Sequence, residues 1–246
     1  MKALIFAAGL GTRLRPLTDT MPKALVPVAG RPMLERVLCK LRDAGLGPFV
    51  VNVHHFAEQI EEFLAANDNF GAQVAVSHEA AEPLETGGGI KHAAQLLGPG
   101  RFLVHNVDIL SDLDVQWFLQ QDDPGSLATL LLIDAPADRY LLFDDDMRLV
   151  GWTNVRTDEV KSPYLPDFDP SNYRRYSFCG IHIVSDAVFD KMAAWPDKFS
   201  ITDFYLSECA AGTIRGVLAP DLRLIDIGSP AKLEEAGRLA ATRELQ

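Results

Sequence analysis

Residues Ala7 to Leu14 read Ala-Ala-Gly-Leu-Gly-Thr-Arg-Leu and follow a short apolar run. Small side chains there let backbone N–H groups close on a phosphate, and Arg13, Arg15 and Lys23 gather cationic charge in the same stretch. An anion-binding loop accounts for both features. A plain turn leaves the cluster of cations unexplained. The dinucleotide fingerprint of redox enzymes does not fit: it needs a third glycine where Leu14 stands, and an immediate long helix, which Pro16, Pro22 and Pro27 forbid. Lys23 lies in Met-Pro-Lys-Ala-Leu-Val-Pro, where flanking prolines stiffen the backbone and lower the entropy cost of aiming one ammonium.

Two aspartates form a second candidate group. Asp108 follows an apolar run at Arg101–His105, and Asp226 follows another at Leu222–Ile225. Ligands of open α/β sheets gather at the carboxyl ends of strands. Two carboxylates brought together there suit one Mg²⁺, which takes few protein carboxylates and completes its shell with phosphate oxygens and water. Each aspartate alone could equally cap a following helix. A third feature is Glu82-Pro-Leu-Glu-Thr-Gly-Gly-Gly89. Consecutive glycines cost a helix about 1 kcal/mol each relative to alanine, a penalty that close backbone approach to a ligand would justify. His54, His55 and His105 read as polar strand-end residues, and Asp144-Asp145-Asp146 as a solvated hairpin tip.

The elements that must position these groups alternate through the first 133 residues. Strands are expected at Ala3–Ala7, Phe49–Val53, Gln73–Ser77, Arg101–His105 and Leu127–Ile133. Helices are expected at Pro32–Ala44, around Phe56–Leu64, at Thr86–Leu97 and at Asp114–Gln120. That order implies βαβ units and a mostly parallel sheet. Gly9–Pro27 reads as one long loop, and long loops in compact domains are usually functional. Beyond Ile133 the pattern changes to a hairpin, Tyr140–Phe143 with Leu149–Trp152, and then a Pro-rich excursion over 156–175 with few apolar residues, expected as a surface lid. A strand at Tyr176–Val184, a helix at Ile201–Ala210 capped by Ser200, a strand at Leu222–Ile225 and a helix opened by Ser229-Pro230 follow. No linker separates autonomous domains.

The chain has 246 residues, 48% of them hydrophobic and 23% charged, ordinary globular proportions that exclude wholesale disorder. A net charge of −11 argues against nucleic acid or an anionic membrane as partner, since their phosphates want a basic face. No run approaches the roughly 18 apolar residues of a membrane span. Cys39, Cys179 and Cys209 are too scattered for a disulfide framework or zinc site and suit a reducing compartment, so a cytoplasmic protein is expected.

The segment Ala7–Pro27 is similar to the signature A-G-x-G-T-R-L…P-L-T…P-K-x-L-x-P of the sugar-1-phosphate nucleotidyltransferases. Leu84–Gly89, Asn106-Val107-Asp108, Phe178–Ile181 and Asp226-Ile227-Gly228 extend the resemblance, in the family's order, over essentially the whole chain. It implies a Rossmann-like GT-A α/β fold with a mixed, mostly parallel central sheet flanked by helices. It also implies a single nucleotidyltransferase domain over 1–246, with residues 1–133 taking the nucleotide and 134–246 the sugar. The reaction implied is NTP + sugar 1-phosphate → NDP-sugar + pyrophosphate, with Mg²⁺ as cofactor.

By the same resemblance Arg13, Lys23 and Asp108 are catalytic, with Arg13 on the departing pyrophosphate and Lys23 on the α-phosphate. Ala7, Ala8, Gly9, Gly11 and Thr12 join them around the triphosphate. Glu79, Pro83, Gly87, Gly88 and Asn106 complete the nucleotide site, where the loop from Glu79 to Gly88 reads base and ribose mainly with backbone groups. Glu85, Asn106, Phe178 and Gly180 hold the sugar, and Asp108 and Asp226 bind Mg²⁺. A phosphate monoester is already a nucleophile at neutral pH, so the site must supply cations and geometry rather than a general base.

Within the family the chain looks most like N-acetylmuramate-1-phosphate uridylyltransferases, by its short length and its Leu-Glu-Thr-Gly-Gly-Gly form. Mannose-1-phosphate guanylyltransferases share most of the motifs and phosphocholine cytidylyltransferases the N-terminal half. A non-catalytic NDP-sugar-binding regulatory protein would keep the fold without the chemistry, and the joint presence of Arg13, Lys23, Asp108 and Asp226 speaks against it. Two departures stand out. Val107 precedes Asp108 where many relatives have glycine, and the Glu-Lys-Pro motif whose lysine grips the sugar phosphate is absent from residues 134–175. Lys161, Arg174 and Arg175 are the substitutes on offer.

Overall fold

Alternate residues of the first strand, β1 (Lys2–Phe6), are buried in opposite cores, Ala3 and Ile5 in one and Leu4 in the other. A strand covered on both sides needs helices on both faces of its sheet, and the computed structural model, which describes residues 1–79, 82–242 and 245, has that three-layer arrangement. After β1 the chain runs through the phosphate-type loop into a two-residue ribbon, β2 (Pro27–Val28) with β3 (Arg31–Pro32). The strands β4 (Phe49–Val53), β5 (Val74–His78) and β6 (Phe102–Asn106) then extend the sheet. β1 pairs in parallel with β4 and β6, and β4 with β5.

The second half turns the sheet antiparallel. β7 (Ile109–Ser111) leaves it, and β8 (Ala128–Ile133) returns. The hairpin β9 (Arg139–Phe143) and β10 (Leu149–Asn154) is followed by β11 (Glu159–Lys161) and by the long β12 (Arg174–Val184). β12 lies between β6 and β8 and bends onward to β9, so the order is β11-β10-β9-β12-β6-β1-β4-β5 with β8 also on β12. β13 (Ile214–Leu218) pairs in parallel with β8, and β14 (Leu224–Asp226) pairs with β7 in a separate ribbon. The result is the mixed central sheet expected, parallel through β6-β1-β4-β5 and between β13 and β8, and antiparallel around β12 and the β9–β11 strands.

One helical layer contains α1 (Met33–Asp43) and α2 (Ala57–Ala66). On the opposite face lie α3 (Glu85–His92) and α4 (Ala94–Leu97). The first layer is completed by α5 (Val115–Gln120), the second by α6 (Val188–Met192) and α7 (Ile201–Glu208), and α8 (Pro230–Ala241) packs on the first. Their ends follow local chemistry. Asp114 accepts from Trp117 N–H at 3.0 Å, Ser200 from Thr202 N–H at 3.2 Å and Ser229 from Lys232 N–H at 3.4 Å, with Pro230 in the first turn of α8.

Four expectations need correction. The helix foreseen at Thr86–Leu97 is broken at Ala93 into α3 and α4. β7 and β13 were not expected. Gly216 in the middle of β13 weakens its strand signal, but a Cβ there would meet Leu132 and Phe143, so only glycine fits. The loop Gly9–Pro27 is not irregular: it folds into three single 3₁₀ turns, Thr12–Leu14, Leu17–Asp19 and Lys23–Leu25. The excursion 156–175 is not a bare flap either. Phe168 is buried with Leu142 and Val150 in a small core of its own and stacks on Tyr173 with ring centres 4.6 Å apart. The acidic turn behaves as expected: Asp144 accepts from Arg148 N–H at 2.8 Å and Asp145 pairs with Arg174 at 3.0 Å. Among the described residues no helix is long and apolar enough to cross a membrane.

Candidate active site

The loop after β1 is wound so that small residues and cations face one cavity of about 370 Å³, lined by Ala7 to Leu14 with Lys23, Pro83, Val107, Asp108 and Gly228. Gly11 makes the winding possible. Its φ is +63°, and a Cβ would stand 2.8 Å from Thr18 Cγ2 and 3.1 Å from Lys23 Cβ. Thr18 Oγ1 donates to the Gly11 carbonyl at 2.8 Å, and Leu14 N–H to the same oxygen at 2.8 Å, with the Leu14 side chain anchored in the core. Arg15 turns outward to Asp19 at 3.2 Å and leaves the cavity to Arg13 and Lys23.

Lys23 joins the two candidate metal ligands. Its ammonium pairs with Asp108 and lies 3.7 Å from Oδ1 of Asp226. The ribbon β7–β14 brings these distant carboxylates together: Asp226 pairs with Ile109, next to Asp108, and Ile227 N–H donates to the Asp108 carbonyl at 3.0 Å. Oδ1 of Asp226 is buried and accepts no hydrogen bond. An orphaned carboxylate oxygen beside a second carboxylate fits a hard divalent cation. No cluster of three or more His, Cys, Asp or Glu ligands occurs among the described residues, so these two carboxylates would leave most of a cation's shell to phosphate and water. Gly228 keeps the approach open: a Cβ there would stand 2.7 Å from an Arg13 guanidinium nitrogen and 2.8 Å from Oδ1 of Asp226.

A buried relay, absent from the expectations, ties the phosphate loop to the glycine-rich segment. Ala7 N–H donates to Asn52 Oδ1 at 2.8 Å, Asn52 Nδ2 donates to Glu79 Oε1 at 2.6 Å, and Leu84 N–H donates to Glu79 Oε2 at 2.8 Å. Asn52 and Glu79 are 1% and 3% exposed. Both Glu79 oxygens are therefore engaged within the protein, and His54 Nδ1 lies 2.5 Å from its carbonyl. A single Asn inside a buried strand, Val-Val-Asn-Val, was the available signal. Gly87 and Gly88 also turn inward. Their N–H groups donate to the Phe199 carbonyl at 2.9 and 3.2 Å, and Cβ atoms there would overlap Phe199 and the Asp197 carbonyl. The close backbone approach read from these glycines is thus to the segment before α7. Residues 80 and 81 of the stretch expected to read the base lie outside the described residues.

A second cavity, of about 540 Å³, contains Glu85 and Phe178 together with Arg139, Tyr140, Trp152, Asn154, Glu159, Lys161 and Asp203. Glu85 holds a left-handed backbone, φ +62°, uncommon for a non-glycine residue and a form of strain that clusters at functional sites. Gly180, φ +71°, sits in a bulge of β12, where a Cβ would overlap the Asn106 amide, so these two residues meet. Of the substitutes for the missing lysine motif, Lys161 lines this cavity and pairs with Asp203 at 3.1 Å. Arg174 is taken up by Asp145, and Arg175 lies over the Tyr140 ring at 5.3 Å.

His105 is buried and its pKa is lowered to about 4, chiefly by desolvation, so the ring is neutral near pH 7. The three thiols are free; burial pushes Cys179 up to about 12 and Cys209 up to about 11.

Residues 2–139 match the family model described as nucleotidyl transferase. The N-acetylmuramate alpha-1-phosphate uridylyltransferase of Neisseria meningitidis serogroup B is 35% identical over 243 residues, 98% of this chain and 98% of its own. The protein of the same name from Caulobacter vibrioides is 34% identical over 243 residues, 97% of this chain and 96% of its own. In fold, the inositol-1-phosphate CTP transferase of T. maritima superposes with a TM-score of 0.76 at 17% identity, covering 98% of this chain and 94% of its own. Sequence match and fold agree, and the chain belongs to the nucleotidyl transferase family.

Proposed function

We propose that this nucleotidyltransferase transfers the uridylyl group of UTP to N-acetylmuramate 1-phosphate. An oxygen of the acceptor phosphate bonds to the α-phosphorus, the bond from that phosphorus to the α,β-bridging oxygen breaks, and pyrophosphate leaves. The observation that carries the reaction class is the Lys23 ammonium, held by Asp108 and Asp226 at the mouth of a phosphate-type loop. The near full-length similarity to two uridylyltransferases of one name supports the choice of substrates.

In this reading the amides of Ala8, Gly9 and Gly11 and the side chains of Thr12 and Arg13 hold the triphosphate. Arg13 neutralises the charge that grows on pyrophosphate, and Lys23 the charge on the α-phosphate. Mg²⁺ held by Asp108 and Asp226 would supply further charge neutralisation on the phosphate oxygens. Pro83 walls the nucleotide cavity. Asn52 and Glu79 keep the phosphate loop and the segment from Leu84 in register. Glu85, Asn106, Phe178 and Gly180 take the sugar, and Lys161, paired with Asp203, lines the cavity that holds Glu85 and Phe178. Most groups proposed for the nucleotide thus fall within residues 1–133, and residues 134–246 add Phe178 and Gly180 on the sugar side and Asp226 on the cation. Three free thiols fit a cytoplasmic setting, and a role in recycling cell-wall amino sugars follows from the acceptor.

The test is pyrophosphate release, with and without Mg²⁺, across four NTPs and the 1-phosphates of N-acetylmuramate, N-acetylglucosamine, mannose and glucose, plus phosphocholine. Mg²⁺-dependent release from UTP with N-acetylmuramate 1-phosphate is expected. Release with a different pair would replace these substrates, and silence across the grid would reject transfer altogether.

A further inference from the structure

The strand trio β9, β10 and β11 presents one face to the acceptor cavity. Register places Arg139 beside Asn154 and Asn154 beside Glu159 in one row, and Leu141, Trp152 and Lys161 in the next row on the same side. Side chains two apart along a strand share a face, and all six of these line the 540 Å³ cavity. The inner row offers an indole as a platform for a sugar ring, with the Lys161 ammonium 5.2 Å from the ring centre and engaged by Asp203.

Arg139 differs from its neighbours. Its side chain has no ion pair and no hydrogen bond among the described residues. Glu159 lies two strands away, roughly 10 Å across the sheet, too far for a direct pair. An exposed guanidinium that lines a cavity and has no partner of its own is available to an anion from outside, in a protein of net charge −11. That anion is not the phosphate under transfer. The phosphate must meet Lys23, and no residue lines both the Lys23 cavity and the cavity of Arg139.

We infer that Arg139 binds a carboxylate carried by the acceptor sugar, at a distance from its phosphate, so that the enzyme selects acidic sugar phosphates over neutral ones. This rests on the acceptor-cavity reading above. The guanidinium matches a carboxylate with two parallel N–H···O bonds, which an ammonium cannot reproduce. Glu159, on the far side of Asn154, is placed to accept from an amide or hydroxyl of the same sugar.

N-acetylmuramate 1-phosphate and N-acetylglucosamine 1-phosphate differ only by a lactyl ether bearing a carboxylate, and they make the test. Wild type should favour the first in kcat/KM. Arg139→Leu should lower kcat/KM for the first by about 100-fold and for the second by less than about threefold, with Arg139→Lys between the two. An equal loss on both acceptors would assign Arg139 to the shared phosphate and overturn the inference, as would no loss on either. Binding of the phosphate-free sugars, followed by ligand-observed NMR, gives a readout independent of turnover. Wild type should hold N-acetylmuramate more tightly than N-acetylglucosamine, and Arg139→Leu should erase the difference. Equal binding by wild type would sink the inference even if uridylyl transfer is real. A retained difference with no turnover would keep the carboxylate site and reject the reaction.

Discussion

The ammonium of Lys23 stands 3.7 Å from Oδ1 of Asp226, and that oxygen accepts no hydrogen bond. A divalent cation held as proposed by Asp108 and Asp226 would compete with the lysine for the same carboxylates. Removing the lysine should cost activity and also change how the protein responds to metal. Lys23→Ala is expected to lower turnover by at least about 100-fold. Without nucleotide, Mg²⁺ should raise its melting temperature more than that of wild type, because the cation now meets two unpaired carboxylates. Asp108→Asn should lower turnover by a similar factor and lose the Mg²⁺ response. Near wild-type turnover in either folded variant would remove these residues from the chemistry.

Asn52 is a positioning residue, and its replacement should be read in KM as well as in stability. Asn52→Ala leaves Glu79 Oε1 without its buried partner, at a cost of about 1–3 kcal/mol, while Ala7 N–H keeps only its bond to the main-chain carbonyl of residue 52 at 3.1 Å and loses its tie to Glu79. KM for the nucleotide should rise more than kcat falls, because the loop is displaced rather than stripped of charge. Asn52→Asp puts a second carboxylate against Glu79. Like charge raises the pKa of the pair, so this variant should be least stable at high pH and recover as pH falls and one proton is shared. A pH-independent deficit, from urea unfolding at pH 5.5 and pH 8, would contradict the relay.

These two cases mark what was legible beforehand. Arg13, Lys23 and Asp108 stand out in a sequence because glycines, prolines and charges are rare together, and the cavity that gathers them follows from chain order in an α/β sheet. Strands β1, β4 and β6 and the helix starts at Ser200 and Ser229 could be read because apolar runs and capping chemistry are local. Asn52 could not be assigned a role, since its partners come from Ala7 and Glu79, far away in the chain. Gly87 and Gly88 were read as a close approach to a ligand, and in the structure Phe199 and Asp197 make that approach, because nothing local in the sequence distinguishes ligand from protein. β13 was hidden by Gly216, whose role depends on Phe143 across the sheet.

His182 gives the fold a built-in acid sensitivity. It is buried, with Nδ1 2.7 Å from the Tyr205 hydroxyl, and desolvation lowers its pKa to about 3. A histidine depressed in the folded state takes up a proton more readily when unfolded, near its ordinary value of about 6.5. Its contribution is therefore constant above that pH and is lost progressively between 6.5 and 3, by about 1.4 kcal/mol per pH unit. His182→Gln should show a shallower fall in unfolding free energy between pH 6.5 and 4.5 than wild type. Parallel curves would show that this ring does not set the slope.

Glycines of opposite circumstance should respond with opposite sign. In Gly88→Ala the new methyl meets the Asp197 carbonyl, a backbone atom with little freedom to move, so a loss of about 1–3 kcal/mol is expected. Gly237 lies inside α8 with nothing within 4 Å of its Cβ position, so Gly237→Ala should stabilise by up to about 1 kcal/mol. Melting temperatures of the two variants against wild type decide both.

The β7–β14 ribbon has a consequence for synthesis on the ribosome. Lys23 and Asp108 emerge early, but the second carboxylate waits for the strand at Leu224–Asp226. A nascent chain that reaches only as far as β13 has the loop after β1, Lys23 and Asp108, and lacks the second carboxylate proposed for the cation. In the proposed reaction, a product that stops short of residue 224 is expected to release no pyrophosphate.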